Sequence, residues 1–282
     1  MRGIRILLLI ALAFASFAPT LVADSPEEPR PFPEPCTFRV ESELFANAAA
    51  PVARSLTLFH EGVAWDFLEL PKDHAAAGEA MQLTEIVLHD PARERIVVID
   101  PVRRLKTEIP LIRLERLSVS LARWARESDD RLVRWAGGPD VAAGIKESDG
   151  QLELAGPRVR YAVAHVEAPS PEAAETYRRF ADTAILLKAL LQPGGIPPFP
   201  RLALNERLDD EAAIPAEVTL EIEPRAGLLP GGTDRFRSVH RSHPRLLAAD
   251  QAKLEEARHA VASAERVGLA AFMDRPAAVA IE

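Results

Sequence analysis

The chain has 282 residues and a formal net charge of −8, and 27% of its residues are charged. An acidic chain without a block of basic residues argues against nucleic acid as the partner. Its length allows one large β-rich domain or two smaller ones with a sizeable core. Cys36 is the only cysteine. An internal disulfide is therefore excluded, and the core alone must stabilise the fold.

The N-terminus has the pattern of a secretory signal peptide. Arg2 and Arg5 precede an apolar run, residues 6–17, and small residues then lead to Ala23. We expect cleavage after Ala23, so that residues 1–23 are the signal peptide. An uncleaved anchor is the alternative, but the run is short for a bilayer span of roughly 20 residues. The sequence therefore predicts a periplasmic or secreted protein without an integral membrane segment after cleavage.

Residues 24–35, "DSPEEPRPFPEP", are rich in proline. Such a run favours an extended, semi-rigid linker over a helix or a central strand. We expect residues 36–282 to form a single α+β domain behind this linker.

The clearest hairpin is "SLTLFHEGVAWDFLEL", residues 55–70, with a two-residue turn at Glu61-Gly62. This register places Leu58 opposite Trp65. Because side chains alternate along a strand, one face becomes apolar and the other mixed. The apolar face carries Leu56, Leu58, Val63, Trp65 and Phe67, and the mixed face carries Thr57, Phe59, Ala64, Asp66 and Leu68.

Two Asp-Pro pairs follow in "LHDPARERIVVIDPVRRLKTEI", residues 88–109. Asp accepts a hydrogen bond from a nearby backbone N–H at a turn, and proline presets the next φ. The pairs therefore indicate a meander of strands 83–89, 95–100 and 104–109. A catalytic carboxylate pair would have to converge, and Asp90 and Asp100 lie at opposite ends of one strand. We interpret both as turn residues.

Helices and strands alternate in the rest of the chain. Leu114, Leu117, Leu121 and Trp124 have helical spacing, and Ser170-Pro171-Glu172 is typical of a helix start. That second helix has the stripe Tyr177, Phe180, Ala184, Leu187 and Leu191. A hairpin is predicted at 151–155 and 158–167, strands at 216–223 and 234–240, and a C-terminal helix at 248–272. About ten strands and three helices in this order predict an α+β fold with an antiparallel sheet.

Motifs that carry chemistry are missing from the sequence. "HEGVAWD" begins like the zinc-protease helix, but Ala64 stands where that motif needs its second histidine. His240 and His243 are three apart on a predicted strand, so they point to opposite faces. No glycine-rich segment leads into Lys-Ser/Thr, and no G-x-S-x-G occurs. We predict no catalytic residue, no metal site and no cofactor, and the enzyme hypothesis is the least favoured.

The apolar face of the hairpin is the one feature that suggests a ligand. Core packing under a helix is the simpler interpretation of such a face. The functional interpretation is an apolar cleft between a sheet and its helices. On that interpretation the ligand-binding residues are Leu58, Val63, Trp65 and Phe67.

The hairpin, the meander "IVLHDPARERIVVIDPVRRLKTEI" and "GQLELAGPRVRYAVAHVEA" together resemble the superfamily of periplasmic outer-membrane lipoprotein carriers. The resemblance spans about residues 36–241. It implies a strongly curved, incompletely closed antiparallel barrel with helices over its concave apolar surface, and a lipid or lipidated protein as partner. The expected function is an exported, non-enzymatic binding protein that holds such a ligand on a curved sheet. The alternative is a structural or interaction protein of the cell envelope without a small-molecule ligand.

Overall fold

The structure is a computed structural model that describes residues 36–72, 80–223 and 233–274. The predicted signal peptide (1–23) and linker (24–35) lie outside the described residues, so both stay predictions. Within the described part, no helix is long and apolar enough to cross a membrane.

One large sheet organises the described residues, and it has twelve strands. In chain order these are β1 (Phe38–Ala46), β2 (Ala53–His60), β3 (Val63–Pro71), β4 (Met81–Asp90), β5 (Arg95–Asp100), β6 (Leu105–Pro110), β7 (Ile145–Ser148), β8 (Gln151–Gly156), β9 (Val159–Glu167), β10 (Ala213–Ile222), β11 (Asp234–His243) and β12 (Glu265–Arg266). Across the sheet the order is β12-β6-β5-β4-β3-β2-β1-β11-β10-β9-β8-β7, so the sheet is open. Every pairing is antiparallel except the short parallel pairing of β12 with β6. The predicted α+β class with an antiparallel sheet is confirmed.

Six α-helices occur in the same residues, twice the predicted number. They are α1 (Leu111–Glu127), α2 (Arg131–Ala136), α3 (Pro171–Leu191), α4 (Phe199–Asp210), α5 (Ala248–Ser263) and α6 (Leu269–Met273). Helix α4 was not predicted, because it carries few apolar residues at helical spacing. Its buried Leu204 and Leu208 pack on strands β8 and β9, and such packing stabilises helices of weak local pattern.

The predicted C-terminal helix, 248–272, is shorter in the structure. Helix α5 ends at Ser263, and the chain continues as strand β12 and the short helix α6. The backbone N–H groups of Glu265 and Val267 donate to Arg104 and Lys106, each over 2.9 Å. The edge strand β6 presents unpaired backbone groups. The chain after Ser263 pairs with them instead of continuing the helix.

The predicted hairpin forms with its predicted register. Leu58 pairs with Trp65, and Leu56 with Phe67. In the turn, Glu61 and Gly62 have φ values of 53° and 76°. Positive φ at both positions matches the twist of the flanking strands.

Both Asp-Pro pairs are turns, as predicted. The Asp100 carboxylate accepts from the backbone N–H groups of Val102 and Arg103, over 3.0 and 2.8 Å. Asp90 accepts from the backbone N–H of Arg93 over 3.3 Å. The two carboxylates therefore hold separate turns.

Helices cover both faces of the sheet. On the α5 face, α5 packs on β2 to β5, and Leu254 and Ala257 contact the strand side chains. On the α3 face, α3 lies over β1, β2 and β3, where Phe59 stacks on Phe38 at 4.0 Å and meets Phe180 edge-on at 5.5 Å. Helices α2 and α4 cover β8 to β10 on this same face.

Candidate functional site

A cavity of about 140 Å³ lies between α3 and the α3 face of the sheet. We call it the α3 cavity. Its sheet wall consists of Asp66, Leu68, Glu85, Val87, His89 and Ile96. Its helix wall consists of Phe180, Thr183, Ala184, Leu187, Lys188 and Leu191. Most of these side chains are apolar. The polar ones are Asp66, Glu85 and His89 on the sheet and Thr183 and Lys188 on α3.

The sequence builds this cavity from two regular patterns. On the sheet side, alternation directs Asp66, Glu85 and His89 to the same face from β3 and β4. On the helix side, the predicted stripe of α3 supplies Phe180, Ala184, Leu187 and Leu191. Ala184 is the small member of that stripe, and its short side chain leaves room between its larger neighbours.

Asp66 is the most unusual of the polar groups. Thr57 Oγ1 donates to Asp66 Oδ1 over 2.7 Å across the hairpin. Burial raises the pKa of Asp66 to about 6. The hydrogen bond from Thr57 lowers this pKa, and the charge of Glu85 raises it further. A fraction of Asp66 is therefore protonated near neutral pH, unlike an ordinary surface aspartate.

His89 of β4 lines the same cavity and is neutral near neutral pH. The side chain is buried, and burial lowers the pKa of His89 to about 4, although the Asp90 charge acts in the other direction. Its ring lies 6.4 Å from the ring of Phe180. Near neutral pH the imidazole therefore contributes a polar but uncharged surface to the cavity.

A second polar group on the α3 face centres on His240. Its Nδ1 is 2.8 Å from Ser42 Oγ, and its Nε2 is 2.9 Å from Ser238 Oγ. A serine next to a histidine is the arrangement that nucleophilic catalysis uses. However, burial, with the Arg201 charge, lowers the pKa of His240 to about 3. An imidazole of such low basicity is a poor general base near neutral pH, so we interpret the three half-buried side chains as a structural hydrogen-bonded group.

The predicted ligand-binding residues lie on the opposite face of the sheet. Leu58, Trp65 and Phe67 are 0%, 4% and 2% exposed, and Val63 is half-buried. All four pack in the cluster that α5 covers. The structure thus brings them together, but as core. Ligand binding by these four side chains stays a prediction that requires access beneath α5.

The cavity residues were visible in the sequence only in part. Asp66 was placed on the mixed face of the hairpin, and the stripe of α3 was recognised. An acid between two aromatic residues of a strand, Trp65 and Phe67, is the signal that points to the cavity face. Nothing in the local pattern shows that α3 covers that face.

Other depressions are open to solvent. One of about 440 Å³ lies at the ends of β1 and β11, and Arg237 there stacks on Phe45 and faces Glu217. It is a surface hollow between ion pairs. Within the described ranges, no group of three or more His, Cys, Asp or Glu side chains is arranged to hold a metal ion.

Comparison of the chain with family models and with curated proteins identifies no relative. No protein-family model matches the chain, and no curated protein is significantly similar to it. The α3 cavity therefore has to be interpreted from its own chemistry.

Proposed function

We propose that the protein is an exported, non-enzymatic binding protein that holds an apolar group in the α3 cavity. The group belongs to a lipid or to a lipidated protein. The observation that carries the proposal is the cavity itself, lined by apolar side chains of α3 and the sheet. Ligand sites are concave and mostly apolar, with a few polar groups that orient the ligand.

The size of the cavity limits what it holds. An apolar cavity of about 150 Å³ binds benzene, so the α3 cavity, at about 140 Å³, accommodates a ring or a short stretch of acyl chain. Lys188 is the exposed side chain of its wall. A longer chain leaves the cavity beside Lys188 and follows the surface of α3.

The proposal includes a strongly curved, half-barrel sheet, as in the outer-membrane lipoprotein carriers that the sequence resembles. Two features support it: the sheet is open, and helices α2, α3 and α4 lie on one face of it. A periplasmic or secreted location follows from the predicted signal peptide.

Filling the cavity tests the proposal. N-phenyl-1-naphthylamine is a neutral apolar dye whose phenyl ring matches the size of the cavity and whose fluorescence reports binding to an apolar site. Ala184→Leu extends a larger side chain into the cavity, and we expect at least about tenfold weaker dye binding with folding retained, because the void is occupied. Ala252→Leu is the matched control, since Ala252 is exposed on α5. Equal dye binding by Ala184→Leu and wild type would contradict the α3 cavity as the site.

A second function is favoured by α1. Ile112, Val119 and Trp124 on this helix are 49%, 63% and 53% exposed. Exposed aromatic and aliphatic side chains are common in protein interfaces. This observation supports the alternative of a structural or interaction protein of the cell envelope. Folded wild-type protein that binds neither dye nor fatty acid would favour it over the carrier.

A further inference from the structure

Helix α1 has an outward face on which arginines alternate with apolar side chains. Neighbouring turns of this face carry, in order, Ile112, Arg116, Val119 and Arg123. Trp124 flanks them, and all five side chains are exposed. We call these five residues the α1 face.

The opposite side of α1 is the side that the fold uses. Leu114 is buried and packs in one cluster with Ile109 of β6 and Leu187 of α3. Ala125 is buried as well, and it lies on the same side of the helix because about three turns separate it from Leu114. Within the described ranges, the α1 face is therefore left uncovered.

The positive charge of α1 is not neutralised within the fold. The helix has two glutamates and four arginines, which are Arg113, Arg116, Arg123 and Arg126. In the part of the chain that the structure describes, none of these arginines forms an ion pair. On β11, by contrast, Arg235 lies 3.6 Å from Glu221 and Arg241 lies 3.4 Å from Glu43. A chain of net charge −8 thus presents free positive charge on one helix.

This combination of side chains is complementary to an anionic lipid surface. Acidic headgroups attract arginines, and exposed apolar side chains enter the boundary between headgroups and acyl chains. Tryptophan prefers the same depth. An arginine side chain is long enough to stay at the phosphates while its shorter apolar neighbours go deeper. Because the five side chains lie along one side of a single helix, they can contact a flat surface at the same time.

Helix α1 also borders the α3 cavity. Leu187 and Leu191 of α3 line that cavity, and both pack in the cluster that contains Leu111 and Leu114 of α1. The α1 face is therefore one helix away from the cavity wall.

We propose that the α1 face docks the protein on an anionic phospholipid surface. Arg116 and Arg123 contact the phosphates, and Val119 enters the interface between them. Docking there brings the α3 cavity close to a bilayer. The inference goes beyond the proposed function and does not depend on it, because it rests on the exposed side of α1 alone.

Vesicle co-sedimentation tests the inference. The protein is mixed with vesicles of phosphatidylcholine, or with anionic vesicles of equal parts of phosphatidylcholine and phosphatidylglycerol. We expect wild type to bind the anionic vesicles at least about tenfold more tightly, and added salt should weaken this binding because it screens the headgroup charge. Wild type and variants are produced in the native host, so that all carry the same natural N-terminus.

Two variants separate the charge of the α1 face from its apolar part. Arg116→Gln combined with Arg123→Gln should weaken binding to the anionic vesicles about 25-fold, because each arginine near such a surface contributes about fivefold. Val119→Ser should weaken it up to about tenfold, because an aliphatic contact with lipid is lost. All three positions are exposed, so the melting temperature should stay as in wild type.

Arg235→Gln combined with Arg241→Gln is the matched control. It removes the same amount of positive charge from exposed positions of β11 whose arginines already pair with glutamates. Binding to the anionic vesicles should stay as in wild type. A loss as large as that of the α1 variant would show an effect of net charge and overturn the α1 face as the docking site.

The remaining outcomes also decide the inference. Equal binding of wild type to both kinds of vesicle would overturn it, and so would unchanged binding after Arg116→Gln with Arg123→Gln. Binding to neither kind would overturn it and leave the α1 face to a protein partner. Dye binding in the α3 cavity should be the same in wild type and in the α1 variants, so a failure of docking is distinguishable from a failure of the proposed function.

Discussion

Asp66 shows how position changes the chemistry of one residue. It lies on β3 between Trp65 and Phe67. Because side chains alternate along a strand, its carboxyl points toward α3 rather than toward solvent. Only the hydroxyls of Thr57 and Ser55 compensate for lost hydration, so the pKa rises to about 6. Sites that bind ligands often contain a residue whose ionised form lowers the free energy of unfolding.

Asp66→Asn should therefore stabilise the protein, and the gain should depend on pH. The folded pKa, about 6, exceeds the ordinary value of 3.8. Between these values the folded state binds more protons, so wild type loses stability as pH rises through that window. The variant should match wild type near pH 4 and exceed its free energy of unfolding by roughly 2–3 kcal/mol above pH 7.

Urea denaturation at a series of pH values measures this difference. Asp140→Asn, at an exposed position, is the control and should show no such trend. His89 changes the stability of wild type and variant in the opposite direction. Because burial lowers its pKa, both proteins lose stability as pH falls from 6.5 toward about 4. The difference between variant and wild type cancels that contribution. A constant difference across the range would contradict the buried carboxyl.

At the scale of elements, α5 is docked by one buried ion pair. Arg39 Nη1 of β1 lies 3.0 Å from Asp250 Oδ2, and the two residues are 6% and 3% exposed. Asp250 also accepts from the backbone N–H of Leu247 over 2.7 Å, at the start of α5. One carboxylate thus both caps the helix and fixes it to the sheet.

Removing either partner of this pair should be severely destabilising. Asp250→Ala removes the cap and the buried partner of Arg39, whose ion pair with the more exposed Glu41 remains, so we expect a loss of about 3 kcal/mol in unfolding free energy. Arg258→Gln is the control, because Arg258 forms exposed ion pairs of α5 that contribute at most about 1 kcal/mol. Denaturant midpoints compare the two. Similar small losses in both variants would show that α5 does not depend on the pair.

Trp65→Ala tests whether the α5 face is core. The side chain is 4% exposed among the residues that α5 covers, so its removal leaves a void. We expect a loss of about 3–5 kcal/mol in unfolding free energy. Binding of N-phenyl-1-naphthylamine by the folded variant should stay as in wild type, because the α3 cavity is on the other face. A small stability loss with weakened dye binding would instead favour the groove that the sequence suggested.

At the scale of the whole molecule, the prediction concerns export. The positive N-terminal residues, the apolar run and Ala23 predict removal of residues 1–23. The protein isolated from its own host should therefore begin near Asp24 and occur outside the cytoplasm. N-terminal sequencing of each cell fraction is the measurement. A soluble cytoplasmic chain that retains Met1 would contradict export.

Local patterns predicted much of the fold. The hairpin register follows from alternation around Glu61-Gly62, the meander from its two Asp-Pro turns, and the start of α3 from Ser170, which caps it over 3.2 Å. These features depend on residues a few positions apart. Turn geometry, capping and side-chain periodicity act over that range, which is why they are readable in one sequence.

The candidate site required the tertiary structure. Strands β1 and β11 pair across nearly 200 positions of the chain, as Ser42 and His240 show, and no local pattern specifies that pairing. The same holds for the choice of helix on each sheet face. Both faces of the β2–β3 hairpin are suited to burial. The sequence pointed to the apolar face of Trp65 as the ligand cleft, whereas the α3 cavity lies on the mixed face of Asp66. The structure shows that α5 packs on Trp65 and that α3 lies over Asp66 and leaves a cavity there. Long-range contacts determine which helix covers each face, and they are independent of the short-range pattern that makes a face apolar.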